Sequence, residues 1–194
     1  MALPEHAYRT LVVTQAAKFT ESLKPILTSH HCQPVAQAQD AASARRLLLE
    51  ESWDLVLINS PLPDEFGTRF ALDAAASGNA GVMMFVKAEH YADISLKAAP
   101  LGVLVISKPT NGQLVSQSLD LMCATRERLR RMEEKAASME EKMEEIRLVN
   151  RAKWVLVDQL KMTEPDAHRF IQKSAMDRGQ SRRAVAESII QLYG

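Results

Sequence analysis

Five short apolar runs punctuate the first 110 or so residues, and each is followed by a stretch with helical spacing. The runs are Thr10–Val13 (TLVV), Pro34–Gln39, Trp53–Ile58, Gly81–Val86 (GVMMFV) and Val103–Ile106. Helical spacing fills the gaps over Lys18–Ser29, over a segment capped by Asp40 that runs through Ala44, Leu47 and Leu48, over Gly67–Ala76, and more weakly over Tyr91–Ala98. A strand that is apolar at every position, not at every second one, must be covered on both faces. A parallel sheet with helices on either side provides that cover.

Residues 1–112 are therefore expected to form an α/β domain: a flavodoxin-like, doubly wound, five-stranded parallel sheet. The 46% hydrophobic and 25% charged content suits a globular chain. With Lys plus Arg and Asp plus Glu both at 24, the whole chain has no bias toward polyanions or membranes. The charge is unevenly spread, since Glu145–Gly194 holds nine basic and six acidic residues. Cys32 and Cys123 lack any metal-ligand spacing, so they are expected as free thiols in a reducing compartment. The opening MALPEHAYRT has no basic region leading into an apolar core, and no apolar run approaches the ~18 residues of a membrane span. The expectation is a cytoplasmic protein with no membrane partner.

From Asn111 to Leu160 proline disappears and charge becomes dense. Met122, Leu129, Ala136 and Met143 recur every seven residues, with Thr125, Met132, Met139 and Ile146 offset by three. This heptad seam predicts one helix of roughly 75 Å that pairs with a second copy, because a lone solvated helix of that length has nothing to hold it. The coiled-coil dimerisation helix is placed at 113–145. A small three-helix C-terminal domain, 146–194, follows. Thr163 before Glu164, Pro165 and Asp166 marks a helix start, with Ala167, Phe170, Ile171 and Ala175 on one face. Gly179 ends that helix and Ser181 caps another, whose buried side is expected to be Val185, Ile189 and Tyr193.

The third strand runs into a Pro-rich loop closed by Gly67: WDLVLINSPLPDEFG. With SKPT at the fifth strand, this resembles the receiver domain of bacterial response regulators over the whole N-terminal domain. In that family a strand-tip aspartate accepts phosphate, helped by acidic Mg²⁺ ligands, a hydroxyl and a lysine. An amide is too weak a nucleophile for acyl-phosphate chemistry, and Mg²⁺ demands oxygen ligands. Carried over residue by residue, the phosphoacceptor position is Asn59. The acidic pair falls on Thr14 and Gln15, the hydroxyl on Val86 give or take one residue, and the aromatic switch on about Val105. Only Lys108 matches, and it also reads simply as a structural lysine beside Pro109. Asp64 and Glu65 read as an exposed acidic turn. The resemblance thus implies a pseudo-receiver with a degenerate phosphorylation site, no metal and no cofactor.

The tail presents Arg151, Lys153, His168, Lys173, Arg178, Ser181, Arg182 and Arg183. Arg182 and Arg183 sit in the first turn of the last helix, where charge and free N–H groups together can grip phosphate. By composition alone these residues could equally solvate a bundle. However, IRLVNRAKWVLV, TEPDAHRFIQKSAMDR and SRRAVAESII resemble an ANTAR domain with its spacing intact. The departures are Trp154, where glycine is usual, and His168, where an aromatic is common. ANTAR proteins bind paired stem-loops in nascent leader mRNA and prevent a terminator hairpin. The resemblance implies that role here, with Lys153 as the first RNA contact and control by a regulatory protein or ligand. A coiled-coil scaffold whose tail binds protein is the alternative. DNA binding is disfavoured for lack of a strongly basic recognition helix, and no nucleophile–base pair suggests an enzyme.

Overall fold

The computed structural model describes residues 7–77 and 80–193; the reading of the first six residues lies outside them. The chain divides into two compact units, Met1–Leu129 and Arg130–Gly194.

The first unit holds β1 (Thr10–Val13), α1 (Ala17–Ser29), β2 (Val35–Ala38), α2 (Ala41–Glu50), β3 (Leu55–Asn59), α3 (Thr68–Ser77), β4 (Gly81–Lys87), α4 (Ala88–Ala98) and β5 (Val103–Lys108). The strands are all parallel, in the order β2-β1-β3-β4-β5. Side chains alternate between the two faces of the sheet, as the period of two requires. Leu11, Val56, Ile58, Val82, Met84 and Val86 pack under α2, α3 and α4, while Val12, Leu55, Leu57, Met83 and Phe85 pack under α1 and the start of the long helix that follows β5, α5 (Gly112–Leu160). Both faces are covered, which is why the strands read as unbroken apolar runs.

Helix α5 (Gly112–Leu160) begins in the first unit and continues into the second. Val115, Leu119, Met122 and Cys123 belong to the core of the first unit. Met122 is therefore not open for a seam. Its Cε lies 3.0 Å from where a Cβ on Gly81 would stand, so the start of β4 needs glycine for close approach. Cys32 and Cys123 are buried free thiols.

Two carboxylates close the start of α2. The Asp40 carboxylate accepts the Ser43 N–H (2.7 Å) in a reciprocal capping box, and the Asp64 carboxylate accepts the N–H groups of Ala41 and Ala42, both at 3.0 Å. The hydroxyl and N–H of Ser43 lower the Asp40 pKa, and the Ala41 N–H is the chief cause of lowering at Asp64. A carboxyl whose pKa is depressed by folding adds stability above its unfolded pKa and loses it as pH falls through the folded value. Thermal melts should fall in acid below the ordinary aspartate range, and Asp64→Asn should flatten that fall while lowering stability near neutral pH. An unchanged acid limb in the variant would refute the linkage.

In the second unit the end of α5 packs with α6 (Glu164–Arg178) and α7 (Arg182–Tyr193). The Thr163 hydroxyl caps α6 and Gly179, at φ +60°, terminates it. The core is Ala152, Leu156, Ala167, Ile171, Ala175, Val185, Ala186 and Ile189. Phe170 and Tyr193 are not part of it: they are 43% and 46% exposed, and Ala186 takes the buried place on α7.

Candidate functional site

The carboxyl ends of β1 and β3 flank the point where the sheet order reverses, the place where open α/β sheets bind ligands, and Lys108 reaches them from the end of β5. Side chains tie these tips together. Lys108 Nζ donates to Asn59 Oδ1 (2.7 Å) and to the Ser60 carbonyl (2.6 Å). Asn59 Nδ2 donates to Thr14 Oγ1 at 3.0 Å, which also accepts the Ala16 N–H at 3.0 Å. An ammonium can only donate, so the amide oxygen must face Lys108 and its NH₂ must face Thr14. A carboxylate could accept from Lys108 but could not donate to Thr14. The amide suits both neighbours. The network leaves an open hollow of about 340 Å³ lined by Thr14, Gln15, Ala16, Asn59, Pro61, Leu62 and Pro63, with no carboxylate on its wall.

Val86 does not reach this mouth. It is fully buried beneath the helices, and the last residue of β4 is Lys87, in register with Lys108. Burial, and after it the Lys87 charge, pushes the Lys108 ammonium below the ordinary lysine range. A one-residue shift along a strand swaps its faces, so Val86 lies in the core while Lys87 is exposed. Val105 is also buried in the core. Asp64 and Glu65 are more than an exposed turn. Asp64 caps α2, while Glu65 accepts from Arg45 (3.1 Å) and from the Phe70 N–H (3.1 Å). Among the described residues no group of three or more His, Cys, Asp and Glu is placed to hold a metal.

The second unit carries a groove of about 460 Å³ lined by Lys142, Glu145, Ile146, Val149, Asn150, Lys153, His168 and Arg182. Three of the basic tail residues, Lys153, His168 and Arg182, converge there. Lys153 does not face outward. Its side chain is only 18% exposed and its ammonium sits 2.6 Å from Glu164, which lowers the Glu164 pKa. Arg182 pairs with Glu145 at 3.0 Å. Arg183 lies outside the groove, in a hollow with Ala137, Glu140, Glu141 and Glu144, and pairs with Glu187 at 3.0 Å. Ser181 is occupied in capping α7, accepting the Ala184 N–H. Arg151, Lys173 and Arg178 are exposed and do not line the groove.

Lys142 and Asn150 line the groove without any mark in the tail's own pattern; Lys142 sits in the charged stretch MEEKMEE, which reads as coiled-coil surface. Trp154 is 73% exposed on the adjoining wall, beside Asn150, Lys153, Val157 and Glu164. The arrangement is a polar-rimmed apolar trough in which Lys153 and Arg182 are held in place by carboxylates. Such cations can exchange a carboxylate for a phosphate without first being ordered.

Comparison with known proteins agrees with both halves. Residues 137–190 match the ANTAR domain. The chain is 27% identical over 187 residues to the transcriptional regulatory protein PdtaR of Mycobacterium tuberculosis, covering 96% of this chain and 91% of that one. A chain from the adenylate cyclase of Rhodopirellula baltica superposes with a TM-score of 0.61 at 14% identity, over 68% of this chain and 98% of that one. A CheY-like response regulator receiver domain protein from Methanospirillum hungatei does so with a TM-score of 0.54 at 23% identity, over 63% and 98%. At these identities the two structural likenesses concern the fold alone.

Proposed function

We propose that this chain, which carries an ANTAR domain behind a receiver-like fold, is an RNA-binding transcription antitermination regulator. In this reading it acts as a homodimer on stem-loops of nascent leader mRNA and prevents terminator formation. Its parts are a pseudo-receiver (1–112), a coiled-coil dimerisation helix (113–145) and an RNA-binding unit (146–194). The observation that carries the reading is the ANTAR match over the unit whose groove gathers Lys142, Lys153, His168 and Arg182. Loop bases splayed from a hairpin can stack on aromatic or imidazole faces while cations hold the backbone, and His168 and exposed Trp154 supply those faces. The Lys108–Asn59–Thr14 network supports control by a protein partner or ligand, not by phosphoryl transfer.

The test is an electrophoretic shift with a two-hairpin leader RNA across a salt series. Arg182→Ala and Lys142→Ala should each weaken binding by about tenfold and reduce the salt slope by about one. Lys142 is the cleaner probe because the Lys153–Glu164 pair also joins α5 to α6. Absence of salt-sensitive RNA binding would overturn the reading in favour of a scaffold whose tail binds protein.

A further inference from the structure

The thiols of Cys32 and Cys123 take no part in the strand-tip network or the basic groove. They lie far apart in the chain, yet both belong to one core cluster of the first unit. Contacts on either side press the turn after α1 against the root of α5. His30 Nε2 lies 3.1 Å from Asp120 Oδ1 and 3.3 Å from Ser116 Oγ. The Tyr8 N–H donates to the His31 carbonyl (2.8 Å), and the hydroxyl of the same tyrosine donates to the Cys123 carbonyl (3.5 Å). The Cys32 N–H donates to the Leu27 carbonyl (2.9 Å), which fixes the residue to the end of α1. Within this frame the Cys123 thiol donates to the Cys32 sulfur, and the Thr10 hydroxyl stands on the same sulfur. The two sulfurs are direct neighbours.

We infer that Cys32 and Cys123 form a reversible disulfide when the chain meets a hydroperoxide, and that the bond locks the root of α5 to the turn after α1. Cys32 is the attacking sulfur. The Cys123 S–H, with help from the Thr10 hydroxyl, outweighs burial and lowers the Cys32 pKa to about 7; the same hydrogen bond, and then burial, raise that of Cys123. Near neutral pH a substantial share of Cys32 is therefore thiolate, the form that attacks. In the first step it attacks one peroxide oxygen. The O–O bond breaks, an S–O bond forms, and the departing hydroxide takes up the proton that Cys32 shed, giving water and a sulfenic acid. In the second step the Cys123 sulfur displaces that oxygen. The S–S bond forms, the S–O bond breaks, and the Cys123 proton leaves with the hydroxyl as a second water. The two thiols lose two electrons and one peroxide becomes two waters. Thiol exchange reverses the link, so a reducing compartment keeps the pair open. Cys32 is fully buried and Cys123 retains 9% exposure, so a small uncharged oxidant such as hydrogen peroxide enters from the Cys123 side. The lock acts on the helix that continues into the second unit, and it stands whether or not that unit binds RNA.

The full chain is treated with hydrogen peroxide, mapped by peptide mass spectrometry, and returned to a thiol reductant. The expected product is a Cys32–Cys123 link within one molecule, lighter by two hydrogens and fully reversed by the reductant. Cys123→Ala should stop at a Cys32 sulfenic acid, captured by dimedone when the chain is unfolded in its presence. Cys32→Ala should capture about tenfold less. In the linked chain, amide hydrogen exchange over residues 112–126 should slow by about tenfold, because opening there is now tethered. Oxidation of each cysteine separately to sulfinic acid, or links only between molecules, would overturn the pairing. So would native thiols that stay unreacted while those of the unfolded chain link. An intramolecular link that leaves exchange in α5 unchanged would overturn the lock.

Discussion

Replacing Ile171 with alanine is expected to unfold the C-terminal helical unit while leaving the α/β unit standing. The core of Arg130–Gly194 consists of four alanines and four larger residues, Leu156, Ile171, Val185 and Ile189. The alanines let the helices approach, so the four larger side chains supply most of the buried apolar volume. Truncating a buried isoleucine costs about 2–5 kcal/mol, and a single core in a unit of this size supplies about 3–5 kcal/mol. The loss is therefore comparable to the whole stability of the unit. Calorimetry of the full chain should show the transition of the helical unit abolished or moved below working temperature. The transition of the first unit should stay within a degree or two, because its cores contain no residue of this cluster. Ile171→Val, costing about 0.5–1.5 kcal/mol, should keep both transitions and RNA binding. One cooperative transition that shifts as a whole would refute the independence of the two units.

Most of the architecture was legible because the relevant signals are local. A buried strand must be apolar throughout, a cap must carry an oxygen acceptor, and a left-handed helix end favours glycine; Asp40, Thr163 and Gly179 all stand where these rules put them. The misplacements share a different cause. Met122 satisfies a heptad position and a helical core position equally, and only the close approach of Gly81 decides between them. Phe170 and Tyr193 lie at helical spacing, but spacing cannot say how wide a stripe the neighbours cover. Lys87 was hidden because a one-residue uncertainty at a strand end selects the opposite face. Lys153, the first RNA contact that the resemblance implies, is held back by a carboxylate eleven residues away, across the α5–α6 turn. Ion pairs of that range leave no periodic trace.

The strand-tip site is where local patterning and three-dimensional chemistry meet most closely. The substitutions Asn59, Thr14 and Gln15 read in isolation as three losses. In the fold two of them form a new, complete structure: a donor-only ammonium, a two-sided amide and an accepting hydroxyl, linked in series across three strands. This arrangement needs no ion and no phosphate to hold the strand tips together.

Chemistry at that site is expected to return only when several residues are changed at once. Asn59→Asp restores the nucleophile beside Lys108, whose ammonium now lies 2.7 Å from the amide oxygen, but no carboxylate stands on β1 to bring Mg²⁺ to it. That variant should remain unlabelled by acetyl phosphate with Mg²⁺ in intact-mass measurements. Thr14→Asp with Gln15→Asp and Asn59→Asp gathers three carboxylates around the hollow. Without a cation they repel one another, so the triple variant should be less stable than the parent chain and should regain stability as Mg²⁺ is added. It should also gain one phosphoryl group, lost again in mild base as an acyl phosphate is. Adding Lys87→Thr should raise the labelled fraction, because a hydroxyl then replaces the second cation beside Lys108. Labelling of the parent chain would show that the network is not chemically silent. Labelling of Asn59→Asp alone would show that Mg²⁺ finds ligands other than those at Thr14 and Gln15. Either result would move control of this protein back to phosphoryl transfer, whereas Mg²⁺-dependent recovery confined to the triple variant ties the silence to these particular side chains.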